Sequence, residues 1–243
     1  MRPPLAPAPL PPHAAGPARA DGAQLVSAWL TNLPFQWDAI TGGTRVRRFA
    51  KEETLFLEGQ PADTVYVIRE GRVRLTSFGF DGKERHLMIL GPNGLAGDCA
   101  LRSTGTYVVS AVAAADTLVH MVPAATVLSA LMRDGLLAAQ QQTLSSMRFR
   151  IMLRHVAEQG SNSSRRRVCL HLLDLMHSYG APHHQGTAIS ISFTQQEMGS
   201  ICGLSRVSVS NIFTQLEREQ VVARAGRLVV VVDAARLEVL SRT

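Results

Sequence analysis

The segment GLSRVSVSNIFTQLERE, residues 203–219, has helical spacing of polar and apolar side chains. One side of such a helix carries Arg206, Ser210, Asn211 and Thr214. A guanidinium at Arg206 can pair bidentately with guanine O6 and N7, an amide at Asn211 can read adenine, and Val207 can contact a thymine methyl. Ser210 is better suited to a phosphate or water contact. Each residue type is also common on solvated helix faces, and Arg206 is the strongest candidate for a base contact.

The residues before this segment predict the element that positions it. Thr194 and Glu197 have the spacing of a capping box, which begins a helix. That helix is expected to end at Gly203, which can adopt the left-handed conformation of a tight turn. Gly199 is small where the next helix, from about Ser205, would cross. Helix, glycine turn and second amphipathic helix together predict a helix-turn-helix.

The residues after it predict a wing. VVARAGRLVVVVD, residues 221–233, is typical of a strand, a turn and a second strand. A winged helix-turn-helix places its second helix in the DNA major groove and holds phosphates with its flanks. The phosphate candidates lie in the wing and at the first helix start: Arg224, Arg227, Thr194, Gln195 and Gln196. Each of them taken singly is also typical of a solvated surface.

The first half of the chain has strand-like patterns. Short β-branched runs that end at glycines, such as TVYVIREGRVRLTSFG, extend from about residue 45 to 122. They predict a small antiparallel barrel or roll. From about 124 to 158 the pattern becomes helical, and Leu137, Leu144 and Ile151 recur every seven residues. This long helix could pack on its own roll, or it could form a two-stranded seam that holds a dimer.

Composition sets wider limits. The 243 residues carry a net charge of +6, which favours polyanion partners such as nucleic acid, although a basic RNA-modifying enzyme would share it. Three separated cysteines fit a reducing compartment, and no apolar run reaches transmembrane length. We therefore expect a cytoplasmic protein without a membrane partner. The proline- and alanine-rich residues 1–22 are expected to be a disordered tail.

From about residue 45 to 240 the chain resembles the CRP/FNR family of bacterial transcription regulators. The resemblance is carried by LEGQPADTVYVIREGRVRL, GPNGLAGDCAL, the long helix, FTQQEMGSICGLSRVSVSNIFTQLE and GRLVVVVD. It implies an α+β fold with an antiparallel β-roll sensor at 23–123, a dimerisation helix at 124–159 and a winged helix-turn-helix at 160–243. It also implies a homodimer that reads two half-sites roughly 34 Å apart.

Departures from the family concern its effector pocket, which the resemblance places at Gly97, Asp98, Cys99, Tyr107 and Val108. Members that bind cyclic nucleotides have a Glu where this chain has Asp98 and an Arg that pairs with the phosphate where it has Tyr107. A neutral phenol cannot replace that guanidinium. Arg102 sits five residues too early to take its place. Cyclic AMP is therefore not the expected effector.

The sequence also limits which cofactors are expected. The N-terminal tail lacks the cysteine cluster of iron–sulfur members, so that cofactor is not expected. Haem remains an alternative, because His86 or Cys99 could ligate iron. The simpler interpretation makes His86 a strand surface residue and Cys99 a buried small hydrophobe. His183 and His184 lie in a predicted loop and give only weak support for metal, so no metal site is assigned.

We therefore expect a homodimeric, sequence-specific DNA-binding transcription regulator that binds a palindromic promoter site, with RNA polymerase as a further partner. Its roll would sense a ligand other than cyclic AMP, or none; a cyclic-nucleotide- or haem-responsive regulator is the alternative. An enzyme is not expected, because the carboxylates are scattered and no nucleophile elbow or phosphate loop is present. The recognition helix reads RVSVSN where cyclic-AMP-type members have RETVGR, so the half-site should differ.

Overall fold

The computed structural model describes residues 27–78, 84–101, 105–158 and 163–242. The predicted tail, Arg102 and the Asp81-Gly82 turn lie outside these ranges. The roll contains the strands and short helices β1 (Trp29–Leu30), α1 (Asp38–Thr41), β2 (Arg45–Phe49), β3 (Thr54–Phe56), β4 (Thr64–Glu70), β5 (Val73–Phe78), β6 (Glu84–Leu90), β7 (Leu95–Ala96), β8 (Ser110–Ala113) and β9 (Thr117–Pro123). The remaining elements are α2 (Ala124–Arg133), α3 (Gly135–Glu158), α4 (Ser164–Tyr179), β10 (Gly180–His183), β11 (Gly186–Ile189), α5 (Gln195–Cys202), α6 (Arg206–Arg218), β12 (Val222–Ala225), β13 (Leu228–Val231) and α7 (Ala234–Arg242).

Two sheets face each other in the roll, as the strand patterns predicted. One has the order β1-β6-β5-β8-β3 and the other β2-β9-β4-β7. The pairs within them are antiparallel, apart from β1, which lies parallel to β6. Their β-branched and aromatic residues point inward and form the core, which includes Phe49, Phe56, Tyr66 and Tyr107.

The long helical region differs from the prediction because it is two helices. Asp134 has an extended backbone conformation, with φ −119° and ψ 105°, which ends α2. Its carboxylate then accepts hydrogen bonds from the amides of Leu136 and Leu137, at 2.9 and 3.1 Å, and begins α3. An aspartate that satisfies free amides in this way is a helix N-terminal signal, and it outweighs the continuous apolar pattern.

The seven-residue track of α3 packs inside the chain. Leu137, Leu144 and Ile151 are each at most 2% exposed, so they do not form a seam between two chains. Helical periodicity indicates that one face is buried, but it does not indicate whether the same chain or a second chain covers that face. The sequence therefore left both interpretations open. A different face of α3 carries exposed apolar side chains, namely Phe149, Leu153 and Val156, which are 54–67% exposed.

The C-terminal domain has the predicted winged helix-turn-helix. Helices α4, α5 and α6 pack beside a sheet of order β10-β11-β13-β12, in which β12 and β13 form the predicted wing. The hairpin β10–β11 was not predicted, and the assignment of His183 to a loop was wrong, because His183 is the last residue of β10. Its pattern, APHHQGTAI, is too short and too polar to read as two strands.

The burial of α3 within one chain gives a stability prediction. Leu144→Ala should lower the free energy of unfolding by about 2–5 kcal/mol, because it opens a cavity between α3 and the rest of the chain. Leu136→Ala, on the same helix but 74% exposed, should change it by less than about 1 kcal/mol. Urea unfolding at one protein concentration measures both, and equal losses would contradict this packing.

Candidate nucleic-acid interface and effector pocket

The helix-turn-helix is built by short-range interactions. The Thr194 hydroxyl accepts from the Glu197 amide at 3.0 Å, and a Glu197 carboxylate oxygen accepts from the Thr194 amide at 2.7 Å. This is the predicted capping box. Gly203 ends α5 with φ 66°, a left-handed conformation that favours glycine. A Cβ on Gly199 would lie 2.7 Å from the Leu204 carbonyl oxygen, so the close crossing requires glycine there.

Helix α6 has the two faces that the sequence predicted. Its apolar face is buried and consists of Val209, Ile212, Phe213 and Leu216. On the opposite side Arg206 and Asn211 are exposed, Val207 is 68% exposed and Ser210 is half-buried. Val207 therefore offers an apolar side chain that could contact a thymine methyl. The structure thus places the three candidate base-contacting residues, Arg206, Val207 and Asn211, on an accessible surface.

The phosphate candidates lie on the flanks of this surface. Thr194, Gln196 and Arg227 are exposed, and Gln195 is half-buried. Arg224 is exposed but pairs with Glu217, with 2.6 Å between Nε and Oε1. A cavity of about 350 Å³ lies between the wing and the roll and is lined by Thr194, Gln195, Arg224 and Arg227 together with Arg72.

Two arginines at the start of α4 have structural partners. Arg167 donates from Nε to the Cys202 carbonyl at 3.0 Å and so caps the end of α5. Arg165 pairs with Glu219, just after α6, with 2.5 Å between Nη2 and Oε2. These contacts fix the position of α4 against the helix-turn-helix.

The predicted effector loop, residues 91–101, is tied to the long helix by a buried ion pair. Asp98 follows Gly97 at the start of a short 3-10 helix, and its side chain is 1% exposed. Both of its carboxylate oxygens accept from Nη1 of Arg148, at 2.7 and 2.8 Å. Arg148 also donates to the Leu95 carbonyl, and Gln141 approaches Asp98 at 3.4 Å.

Arg148 is a buried residue of this site that the sequence analysis did not identify. It lies four residues after Leu144 and three before Ile151, on the buried face of α3. A basic residue on an apolar face needs a buried counter-ion, which was the available signal. Its partner is distant in sequence, so spacing alone could not identify Asp98 as that counter-ion.

Aromatic rings fill the interior of the roll next to this pair. The Tyr107 ring stacks on Phe56 with 3.8 Å between centroids, and its hydroxyl donates to the Thr64 carbonyl at 2.7 Å. Burial raises the pKa of Tyr107, so it stays a neutral phenol. The space left among Gly97, Asp98, Tyr107 and their described neighbours is about 10 Å³, room for about one water at most.

The remaining effector candidates differ from the expectations. Cys99 is an exposed residue, so its interpretation as a buried small hydrophobe was wrong; its Sγ lies 3.7 Å from Nη1 of Arg148. Val108 is 44% exposed. His86 lies on strand β6 as expected, but its side chain is only 15% exposed, with Nε2 3.7 Å from Glu84, and desolvation lowers its pKa. No group of three or more potential metal ligands occurs within the described residues.

A β-roll joined by a long helix to a winged helix-turn-helix defines a class of DNA-binding proteins, and comparisons with known proteins agree. Residues 46–134 match the cyclic nucleotide-binding domain, and residues 166–240 match the Crp-like helix-turn-helix domain. The transcriptional regulator LdrP of Thermus thermophilus is 30% identical over 195 residues, which cover 79% of this chain and 95% of that protein. This chain belongs to the CRP/FNR family of transcription regulators.

One further relative and one solved structure are also similar to this chain. A CRP-like cAMP-activated global transcriptional regulator of Mycobacterium tuberculosis is 25% identical over 196 residues, 78% of this chain and 84% of that protein. The structure of a CooA mutant from Carboxydothermus hydrogenoformans shares the fold with a TM-score of 0.75 at 16% identity, covering 88% of this chain and 99% of that one. Within the described residues, none of the helices combines the length and hydropathy needed to cross a bilayer.

The buried ion pair predicts that substitutions of its two residues are not additive in a double-mutant cycle. Asp98→Leu or Arg148→Met alone should lower the free energy of unfolding by about 3–5 kcal/mol, because each leaves one buried charge uncompensated. The double variant should lose less than either single variant, because it removes both charges.

The surface pair between Arg48 and Asp116 serves as a control. It has the same 2.7 Å separation, but its side chains are 71% and 58% exposed. Asp116→Asn should therefore cause a much smaller loss of stability in the same urea titration. Additive losses at Asp98 and Arg148 would show that the two side chains do not interact.

Proposed function

We propose that this protein is a homodimeric, sequence-specific DNA-binding transcription regulator that binds a palindromic promoter site. The observation that carries the proposal is α6, which buries its apolar face and leaves Arg206, Val207 and Asn211 accessible. Membership in a family of transcription regulators supports it. The second helix of a helix-turn-helix enters the major groove with its N-terminal residues at the base edges.

Each contact has an expected role. Arg206 lies in the first turn of α6, where its guanidinium can pair with guanine. Asn211 can read adenine, and Val207 can cover a thymine methyl, whereas Ser210 is better placed for water or phosphate. The capped start of α5 and the wing, with Thr194, Gln195, Gln196, Arg224 and Arg227, would hold the backbone. Base contacts would thus determine which DNA sequence is bound, and the flanking phosphate contacts would fix the position of the protein along the duplex.

A second chain would cover the exposed face of α3. Phe149, Leu153 and Val156 follow one another at spacings of four and three residues, which is the pattern of a two-helix seam. Exposed apolar side chains in such a row are typical of an interaction surface. A symmetric pair about this seam would present two copies of α6 to two half-sites.

The roll is proposed to respond to a ligand other than cyclic AMP, or to none. A cyclic nucleotide needs a cavity and a cation for its phosphate. Here Tyr107 occupies the interior against Phe56, and Arg148 is already neutralised by Asp98. The M. tuberculosis relative is described as cAMP-activated, but the pocket of this chain does not support carrying that effector over.

Regulation of transcription would take place in the cytoplasm, where the DNA is. RNA polymerase is a further expected partner, to be recruited or blocked at the promoter. We assign no enzymatic role, since the relatives are transcription regulators.

DNA selected from a random library tests the specificity. At fixed salt and without added effector, the wild-type protein should enrich a palindrome with a guanine in each half. Arg206→Ala should relax the sequence at that guanine and weaken binding by about 1–3 kcal/mol, because a bidentate contact is lost.

Arg218→Ala is the matched control, since Arg218 is an exposed arginine in the last turn of α6. It should leave the selected sequence unchanged. No enrichment by the wild type, whether alone, with cell extract, or with cyclic AMP or haem added, would count against DNA reading itself. Enrichment only with cyclic AMP or haem would overturn the effector part alone.

The proposed seam predicts the oligomeric state. Leu153→Glu should raise the dimer dissociation constant at least about tenfold, because it places charges against one another at the centre of the interface. Val239→Glu is the control, because Val239 on α7 is 51% exposed and Leu153 is 54% exposed. Sedimentation velocity over a concentration series measures both. A monomeric wild type, or equal weakening by the two variants, would exclude this seam.

A further inference from the structure

The segment 27–37 lies outside both matched domains, yet it connects them. Its strand β1 pairs in parallel with β6 of the roll, with Trp29 opposite Ile89 and Leu30 opposite Leu90. Trp29 and Leu30 are each 1% exposed. Farther along, the Gln36 amide donates to the Gln140 side chain of α3 at 2.7 Å. The segment is therefore fixed to the roll and to the long helix.

The same segment also holds the DNA-binding domain. The Tyr179 hydroxyl at the end of α4 donates to the Trp29 carbonyl at 2.5 Å and accepts from the Thr31 amide at 3.1 Å. The Trp29 ring lies 5.8 Å from the ring of Phe193, which in turn lies 6.5 Å from that of Phe213 in the recognition helix. A continuous row of packed rings thus runs from β1 to the core of α6.

A buried polar cluster lies under the indole. His171 of α4 meets the Trp29 ring edge-on at 6.2 Å, and its side chain is 2% exposed. Asp174, one turn later, pairs with Arg154 of α3 at 2.6 Å. His155 of α3 faces His171 with 6.2 Å between the rings. The cluster therefore sits where the long helix, the DNA-binding domain and β1 meet.

We propose that Trp29, Tyr179 and His171, together with the Arg154–Asp174 pair, form an acid-sensitive latch that holds the DNA-binding domain against the roll and the long helix. The latch is closed while His171 is neutral. A proton on His171 would bring a third cation into a buried junction that already contains Arg154 and Arg167, so acid opens it. This inference concerns the junction and does not depend on which DNA sequence is read.

The charges around His171 set the sign of the effect. Desolvation, the largest cause, and the neighbouring His155, Arg154 and Arg167 together lower the pKa of His171 to about 3. Asp174 lies 4.0 Å from His171 Nδ1, but it already neutralises Arg154 at a shorter distance. Desolvation and Arg154 also lower the pKa of His155.

A histidine whose pKa is lowered in the closed form stabilises that form fully above its ordinary pKa of about 6.5 and loses this contribution as the pH falls below it. Between pH 7.5 and 5.5, His171 alone should shift the equilibrium toward the open latch about tenfold. His155 would add to this shift in the same direction.

Trp29 itself reports the state of the latch. The chain has two tryptophans, so Trp37→Phe leaves Trp29 as the single emitter. Its emission maximum, rather than its intensity, should move to longer wavelength from pH 7.5 to 5.5 as the indole gains water, while far-UV circular dichroism stays native. In the same background His171→Phe should reduce the shift to the part that His155 contributes, and His184→Phe, which removes an exposed histidine, should retain the full shift.

Two further variants separate the latch from general loosening. Tyr179→Phe removes only the hydroxyl that bridges Trp29 and Thr31, so the transition should move to higher pH. Arg72→Gln breaks a second contact between the domains, the 3.2 Å pair with Glu197, and should ease opening without removing the acid response.

The proposal is overturned if the emission maximum of Trp29 is constant down to pH 5, or if the His171→Phe variant shows the wild-type transition. Should that variant not fold, an unchanged transition in Tyr179→Phe gives the same negative answer.

Discussion

A buried arginine in the middle of a helix is the constraint on which the sensor half depends. Arg148 is 6% exposed, and a guanidinium at that depth is tolerated only with a counter-ion and hydrogen-bond acceptors. Asp98 and the Leu95 carbonyl supply them from the 3-10 turn and from strand β7 just before it. Because both acceptors lie in this short stretch, α3 can dock in only one register. That register turns Phe149, the next residue, outward and exposes the apolar row proposed to meet a second chain.

The same helix also orients the DNA-binding half. Near its end, Arg154 pairs with Asp174 of α4, so α4 follows the position of α3. Arg167, on the same helix as Asp174, caps the last carbonyl of α5. A displacement of α3 at the effector loop would therefore be transmitted to the helix-turn-helix through charged contacts. Two-state coupling of this kind requires discrete alternative packings, which close-packed junctions favour over gradual deformation.

Sequence signals were reliable where a structure depends on neighbouring residues. The capping box at Thr194 and Glu197, the turn at Gly203 and the wing hairpin are fixed by contacts within a few positions, and all were predicted. Contacts between Asp98 and Arg148, or Trp29 and Tyr179, join residues 50 and 150 positions apart and leave no local pattern. The seven-residue track from Leu137 to Ile151 was ambiguous for another reason. A helix face has the same sequence periodicity whether its own chain or a second chain buries it.

The closed roll sets a requirement on any effector. A ligand entering beside Gly97 must displace Tyr107 from Phe56 and break its hydrogen bond to Thr64, a loss of roughly 1–3 kcal/mol. It must also leave Arg148 neutralised, either through Asp98 or through an acceptor of its own. A ligand shifts an equilibrium only by its differential affinity for two states. An effector that bound Arg148 in place of Asp98 would release α3 from the loop. The Asp98–Arg148 pair is therefore the contact through which such an effector would act on α3.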